Sequence, residues 1–323
     1  MGKFLSSLGV LLILGCDPFV TEFEDSSDAV MYGANSKSDA AYDSGDVKVV
    51  TWNIRFGIAQ FPFFGDSCGD DVILDDATIE QNMSAIADSL NAMDADIVLL
   101  QEVDVSSKRT GYMDQVQYLL DNTNLNYGCY ASMWKADFIP SDGIGRIDAG
   151  NAILSKYKLT DAERIQLPLR TDQDDLTQYF YLRRNILKAK IALDGENEIY
   201  AVNIHATAFA TDDTKKKHIA KYKEVLDDLV DQEAIFITGG DFNSIPTDAD
   251  TTDFCLIDQC EDESWHTSVE EKDYHKEGSY FDNFPAIGDY PGERDLLQPF
   301  YADSQNYFSA IPYQDRNSSD HFT

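Results

Sequence analysis

Several apolar runs in this chain end abruptly on a carboxylate, an amide or an imidazole, and helical periods lie between them. "VVTWN" ends on Asn53, "DIVLLQE" on Glu102, "AVNIH" on Asn203 and His205, and "IFITGGDFN" on Asp241 and Asn243. Short runs of this kind suit strands covered on both faces. Around them, strands are predicted over 47–54, 96–103, 151–155, 185–193 and 198–206, with "GEN" (195–197) marking a hairpin. Ile79, Met83, Ile86, Leu90 and Met93 recur at three- and four-residue steps, which predicts a helix over 77–93 with Asp76 as its N-cap. A second helix is predicted over 213–231, with Ile219, Tyr222, Leu226 and Leu229 on one face. Hairpins mixed with strand–helix alternation imply an α/β protein whose sheets are not purely parallel.

No break in composition divides residues 47–323, so they read as one domain without a repeat of fixed period. Residues 260–290 are polar and aromatic and read as an irregular excursion. The first fifteen residues read as a signal peptide, with Lys3 before the apolar stretch "FLSSLGVLLILG". "ILGC" (13–16) resembles the lipobox of bacterial lipoproteins, which implies lipidation of Cys16 and an extracytoplasmic, membrane-anchored protein in the periplasm or at the cell surface. Cleavage by an ordinary signal peptidase is the alternative. Residues 16–46, rich in Ser, Asp, Ala and Gly, read as a flexible acidic tether.

The net charge of −33 repels phosphate backbones and anionic lipids, so a phosphate-handling site here calls for a metal ion. No basic stripe with interleaved aromatics marks a nucleic-acid surface. Outside the cytoplasm, the four remaining cysteines allow up to two disulfides in three pairings. Cys255–Cys260 with Cys68–Cys129 is the expected arrangement, and free buried thiols are the alternative. No C-x-x-C or His-rich spacing indicates zinc.

Taken singly, each polar strand end has a structural explanation: a turn cap, an ion pair, a satisfied core histidine. Together they are candidates for one site, because neighbouring strand ends share one rim of a sheet. With "TWNIR" (51–55), "LLQEVD" (99–104), "GNAILSK" (150–156), "VNIHA" (202–206), "GGDFNS" (239–244) and "SSDHF" (318–322) in order, the chain resembles the endonuclease/exonuclease/phosphatase superfamily. The resemblance implies a two-sheet, four-layer α/β sandwich with helices on the outer faces and the active site at one edge.

It also implies metal-dependent hydrolysis of a phosphate ester. Glu102 would be the principal Mg²⁺ ligand with Asn53 beside it, and Mn²⁺ or Ca²⁺ would be substitutes. Asp241 would orient or deprotonate the attacking water, and Asn243 would hydrogen-bond the phosphate. His321, held by Asp320, would bring charge to the phosphate or position the nucleophile. His205 would stabilise the phosphate or help the leaving group depart. The glycines before Asp241 would clear the substrate's approach and allow a sharp turn. Asp295 is the nearest match to a late metal-binding aspartate, and Arg183 or Arg184 would reach a phosphate unless each is tied in a structural ion pair.

In the family a closing strand follows "SDH"; with the chain stopping at Thr323, either the sequence is truncated or that strand is expected to be lacking. The function implied is an extracytoplasmic phosphodiesterase, monomeric, acting on nucleic acid, a phospholipid head group or a phosphorylated metabolite. A catalytically inactive surface lipoprotein that uses the fold for binding is the alternative.

Overall fold

The computed structural model describes residues 19–37, 46–59, 61–64, 69–193, 198–208, 210–244, 295–302 and 306–308. Their strands form two five-stranded sheets. In the first, β2 (Val30–Gly33), β5 (Tyr127–Ile139), β6 (Gly145–Ser155), β4 (Ile97–Asp104) and β3 (Val49–Asn53) lie in that order. The second runs β1 (Ser26–Asp28), β7 (Lys158–Gln166), β8 (Asn185–Ala192), β9 (Ile199–His205) and β10 (Ile235–Asp241). Each sheet is antiparallel except for one parallel pair at an edge, β3 with β4 and β10 with β9. The expected mixed α/β sandwich is therefore what the chain forms.

Between the sheets the core is aliphatic: Ile97, Leu99, Ala131, Ile153, Leu187 and Ala201 interdigitate there. Helices α1 (Asp76–Met93) and α2 (Gln115–Asn122) cover the first sheet, and α4 (Thr214–Asp231) covers the second. A short α3 (Asp175–Phe180) precedes β8, and α5 (Gln298–Ala302) packs Phe300 against Tyr222 of α4. The heptad-like spacing read from the sequence is the buried stripe of α1, with Ile79, Met83, Ile86 and Leu90 all inside. Its cap is Asp75 rather than Asp76: the Asp75 carboxylate accepts the Thr78 backbone N–H at 3.0 Å. Hydrogen-bond geometry fixes this one-residue difference, since only Asp75 has the extended backbone an N-cap needs.

Two further expectations are corrected. Residues 19–37, expected within the flexible tether, belong to the body. β1 pairs with β7 and β2 with β5, and the chain crosses from one sheet to the other at Ala29, whose N–H donates to Ala162. Strands of three and four residues carry too few side chains to show a period, and they are held by pairing with longer neighbours. Cys129 is a free thiol rather than half of a disulfide. It points into the inter-sheet core, is fully buried, and burial pushes its thiol up to about 12. Cys16, Cys68, Cys255 and Cys260 lie outside the described residues, as does the turn 195–197, although β8 and β9 pair antiparallel on either side of it.

Candidate active site

The two parallel edge pairs bring four strand ends to one rim. In the first sheet Asn53 stands in register with Gln101, one residue before Glu102. In the second, Asp241 stands in register with His205. The gap between sheets is closed by side chains: Asn53 Nδ2 donates to Asp241 Oδ2 at 2.8 Å, and Asn53 Oδ1 accepts the Arg55 N–H at 2.9 Å.

Glu102 reaches this rim because β4 bulges. Its register on β6 shifts between Leu100 and Val103, and Glu102 takes a left-handed backbone with φ of 56°. A bulge re-aims a side chain, and holding a non-glycine residue at positive φ costs about 1–3 kcal/mol that the surrounding pairing must overcome. The Glu102 carboxylate retains 20% exposure, while burial pushes its pKa up and the Arg184 guanidinium pulls it back down.

His205 Nε2 lies 3.7 Å from Glu102 Oε1 and 3.7 Å from Asp241 Oδ2, so the imidazole faces both carboxylates at once. Burial, with the positive charge of Arg184, holds its pKa well below the usual histidine range, so the ring is neutral at pH 7. Its Nδ1 has no hydrogen-bond partner among the described residues. Asn243, also left-handed at φ of 48°, donates its backbone N–H to Asp241 Oδ1 at 2.9 Å and its side-chain amide to Ala206 O at 3.0 Å. That amide has two N–H groups, and the contact uses one.

The structure separates the two arginines. Arg183 is structural: it reaches Glu22 at 2.6 Å and donates to the backbone oxygens of Gln178, Tyr179 and Tyr181. Arg184 is also buried, yet its Nε and Nη1 donors have no partner among the described residues. A buried guanidinium with idle donors beside a carboxylate and an imidazole is a place where an anion completes the hydrogen bonding.

Gly240 is required for a reason other than the expected one. At φ of 141°, an added Cβ would stand 2.0 Å from Ile204 O, so this glycine makes room for β9 and not for a substrate. Asp295 is not brought to the rim. It lines a groove of about 850 Å³ along α4 with Lys215, Lys223 and Pro299, and none of Asn53, Glu102, His205 and Asp241 lines that groove. Its assignment to the site rests on a loose spacing match that no hydrophobic pattern anchors. Asp320 and His321 lie outside the described residues. Among the described residues, no group of three or more His, Cys, Asp or Glu side chains stands ready-made for a metal.

Sequence reasoning missed His218. This buried side chain of α4 accepts the Thr207 N–H on Nδ1 at 3.1 Å and contacts Pro168 O through Nε2 at 2.7 Å, tying the segment after His205 to the loop after β7. In the sequence it ends "KKKH", a run that reads as a solvated face, although Lys215 is itself buried. Its position one turn before the buried Tyr222, on the same helix face, was the available signal.

The sequence model of the "Endonuclease/Exonuclease/phosphatase family" matches residues 50–311. The chain belongs to that family. No curated protein matches it by sequence. Among solved structures it is similar to an endonuclease/exonuclease/phosphatase from Beutenbergia cavernae DSM 12333, at 17% identity over 74% of this chain and 53% of that one, with a TM-score of 0.41. It is also similar to the human Nocturnin catalytic domain with bound sulfate anion, at 16% identity over 67% and 68%, TM-score 0.40. A humanized D. rerio TDP2 matches at 18% identity over 61% and 66%, TM-score 0.38. The chain thus spans about half the length of the Beutenbergia protein.

Proposed function

We propose that this member of the endonuclease/exonuclease/phosphatase family is an extracytoplasmic, lipid-anchored phosphodiesterase that uses a divalent cation, Mg²⁺ before Mn²⁺ or Ca²⁺, and an activated water. One observation carries the reading. Side chains from four strand ends and the Arg184 loop surround a single rim, and the donors left idle there, Arg184 Nε and Nη1, are those an anion would take.

A hard cation fits the donor set. Glu102 and Asn53 offer carboxylate and amide oxygens at the rim, and neither is committed to an ion pair with a lysine or arginine among the described residues. When bound, such a cation withdraws charge from a phosphoryl oxygen and lowers the pKa of water. The chain's own residues do the rest. Asp241, partly exposed and fixed by Asn53 and Asn243, accepts the proton of the attacking water. As the water oxygen bonds to phosphorus, the bond to the leaving oxygen breaks and negative charge builds on the remaining oxygens. Arg184 donates two N–H groups to that charge from a buried position, where the interaction is strong. Neutral His205, wedged between the carboxylates, orients them. Asp320 and His321 complete the proposed set from the sequence motif.

The test is hydrolysis of bis-p-nitrophenyl phosphate with Mg²⁺ or Mn²⁺. Turnover by the wild type and a loss of about a thousandfold in Glu102→Ala, with unchanged circular dichroism, is the expected result. Equal turnover by both, or none with any metal, would leave the inactive, binding-only lipoprotein as the better account.

A further inference from the structure

Phe19 and Phe138 meet with ring centroids 6.4 Å apart, and they leave 43% and 50% of their surface exposed. The pair is built in rather than loose. Asp137 N–H donates to Phe19 O, Thr21 N–H donates to Lys135 O, and Val20 is buried against Ala136 beneath them. Ile139, Ile144 and Ile147 of the β5–β6 hairpin extend the same apolar cluster.

This patch shares an end of the molecule with the site. Trp134 of β5 stands opposite Ala149 of β6, which stands opposite Asp104 of β4, two residues beyond Glu102. Phe138 lies four residues further along β5, so the hairpin projects on the order of 10 Å past the rim. Charge agrees with an apolar contact. In a chain of net charge −33, the hairpin's cations are matched: Lys135 pairs with Asp148 at 3.0 Å and Arg146 with Asp137 at 3.3 Å.

Covalent reach then says what meets the patch. Cys16 and Phe19 are three residues apart, no more than about 10 Å along an extended chain. A lipid on Cys16 would therefore hold Phe19 within the interfacial layer, where amphipathic edges and aromatic rings settle. We infer that the Phe19–Phe138 end is a membrane-docking surface, occupied by the interfacial layer of a zwitterionic bilayer, and that it turns the strand-end site toward phosphodiesters at a lipid surface. The substrate class rests on the phosphoesterase reading proposed above; the docking does not.

The experiment uses the full chain with F138W, reconstituted in phosphatidylcholine vesicles with or without bromine on the upper acyl carbons. At least twofold quenching of the added emission by the brominated lipid is expected; equal emission in the two vesicles overturns the proposal. In the Cys16→Ser background, F19D/F138D is expected to lower flotation with phosphatidylcholine vesicles at least fivefold while leaving bis-p-nitrophenyl phosphate turnover unchanged. Unchanged flotation, or a dimer that the double substitution dissolves without any quenching in F138W, also overturns it. Quenching without turnover on the soluble diester would remove the phosphoesterase reading and leave the docking surface standing.

Discussion

Gln101 Nε2 donates to Asn203 Oδ1 at 2.7 Å, a hydrogen bond between the two sheets made by residues that touch no reacting group. Gln101 directly precedes Glu102, and Asn203 stands two positions before His205. Asn203 also donates to Leu100 O at 2.8 Å and Ala152 O at 2.9 Å, so one buried amide joins three strands. The separation between the carboxylate of one sheet and the imidazole of the other is thereby fixed from below. Asn203→Leu should cost about 2–4 kcal/mol in urea unfolding, because it removes three buried hydrogen bonds and leaves Gln101 Nε2 only Leu99 O and Thr51 Oγ1 to donate to. Turnover should fall with it even at temperatures where the protein stays folded.

Arg184 separates stability from activity. Among the described residues two of its donors are buried and idle, so its hydrogen bonding is incomplete in the free protein. Arg184→Met is expected to leave thermal stability unchanged or raise it, while lowering kcat/KM for a phosphodiester by about a hundredfold. A substitution that lowered both together would show that the guanidinium is a structural group like Arg183.

Gly240 admits no side chain. The Cβ of Gly240→Ala would overlap the Ile204 carbonyl of β9, a backbone atom held in a ladder on both sides. A loss of about 3 kcal/mol or more, read as a lowered unfolding midpoint, is expected. Activity per folded molecule should fall as well, since β10 positions Asp241.

His218 makes stability fall in mild acid. Burial lowers its pKa to about 4, from an ordinary value near 6.5. Between those values the unfolded chain binds a proton that the folded chain refuses, so stability rises with pH across the window and drops as pH falls through it. The difference of about 2.5 units corresponds to about 3 kcal/mol. The neutral ring is also what the contacts demand, because Nδ1 accepts the Thr207 N–H and cannot hold a proton of its own. Urea unfolding at pH 7 and at pH 4.5 should show a steeper loss for the wild type than for His218→Gln.

Much of this was legible in the chain because the informative residues end regular runs. Asn53, Glu102, His205 and Asp241 announce themselves by interrupting apolar strands whose direction the parallel pairs preserve, and all four meet. Local pattern does not carry long-range contacts. Nothing near Arg184 says that Arg183 alone finds an acid, since the partner, Glu22, lies far away in a segment without a period. The positive φ at Glu102 is equally silent, because the bulge arises from pairing with β6. Asp295 shows the opposite case: spacing without pattern points to the rim, whereas the described structure has this residue lining the groove along α4.

The strip from Ser26 to Gly33 closes one flank of both sheets. A gene trimmed to begin at residue 47, where the regular pattern starts, would uncover the sides of β5 and β7 together and offer each to a neighbouring molecule. Insolubility of such a fragment would then reflect a missing border and not a failing core.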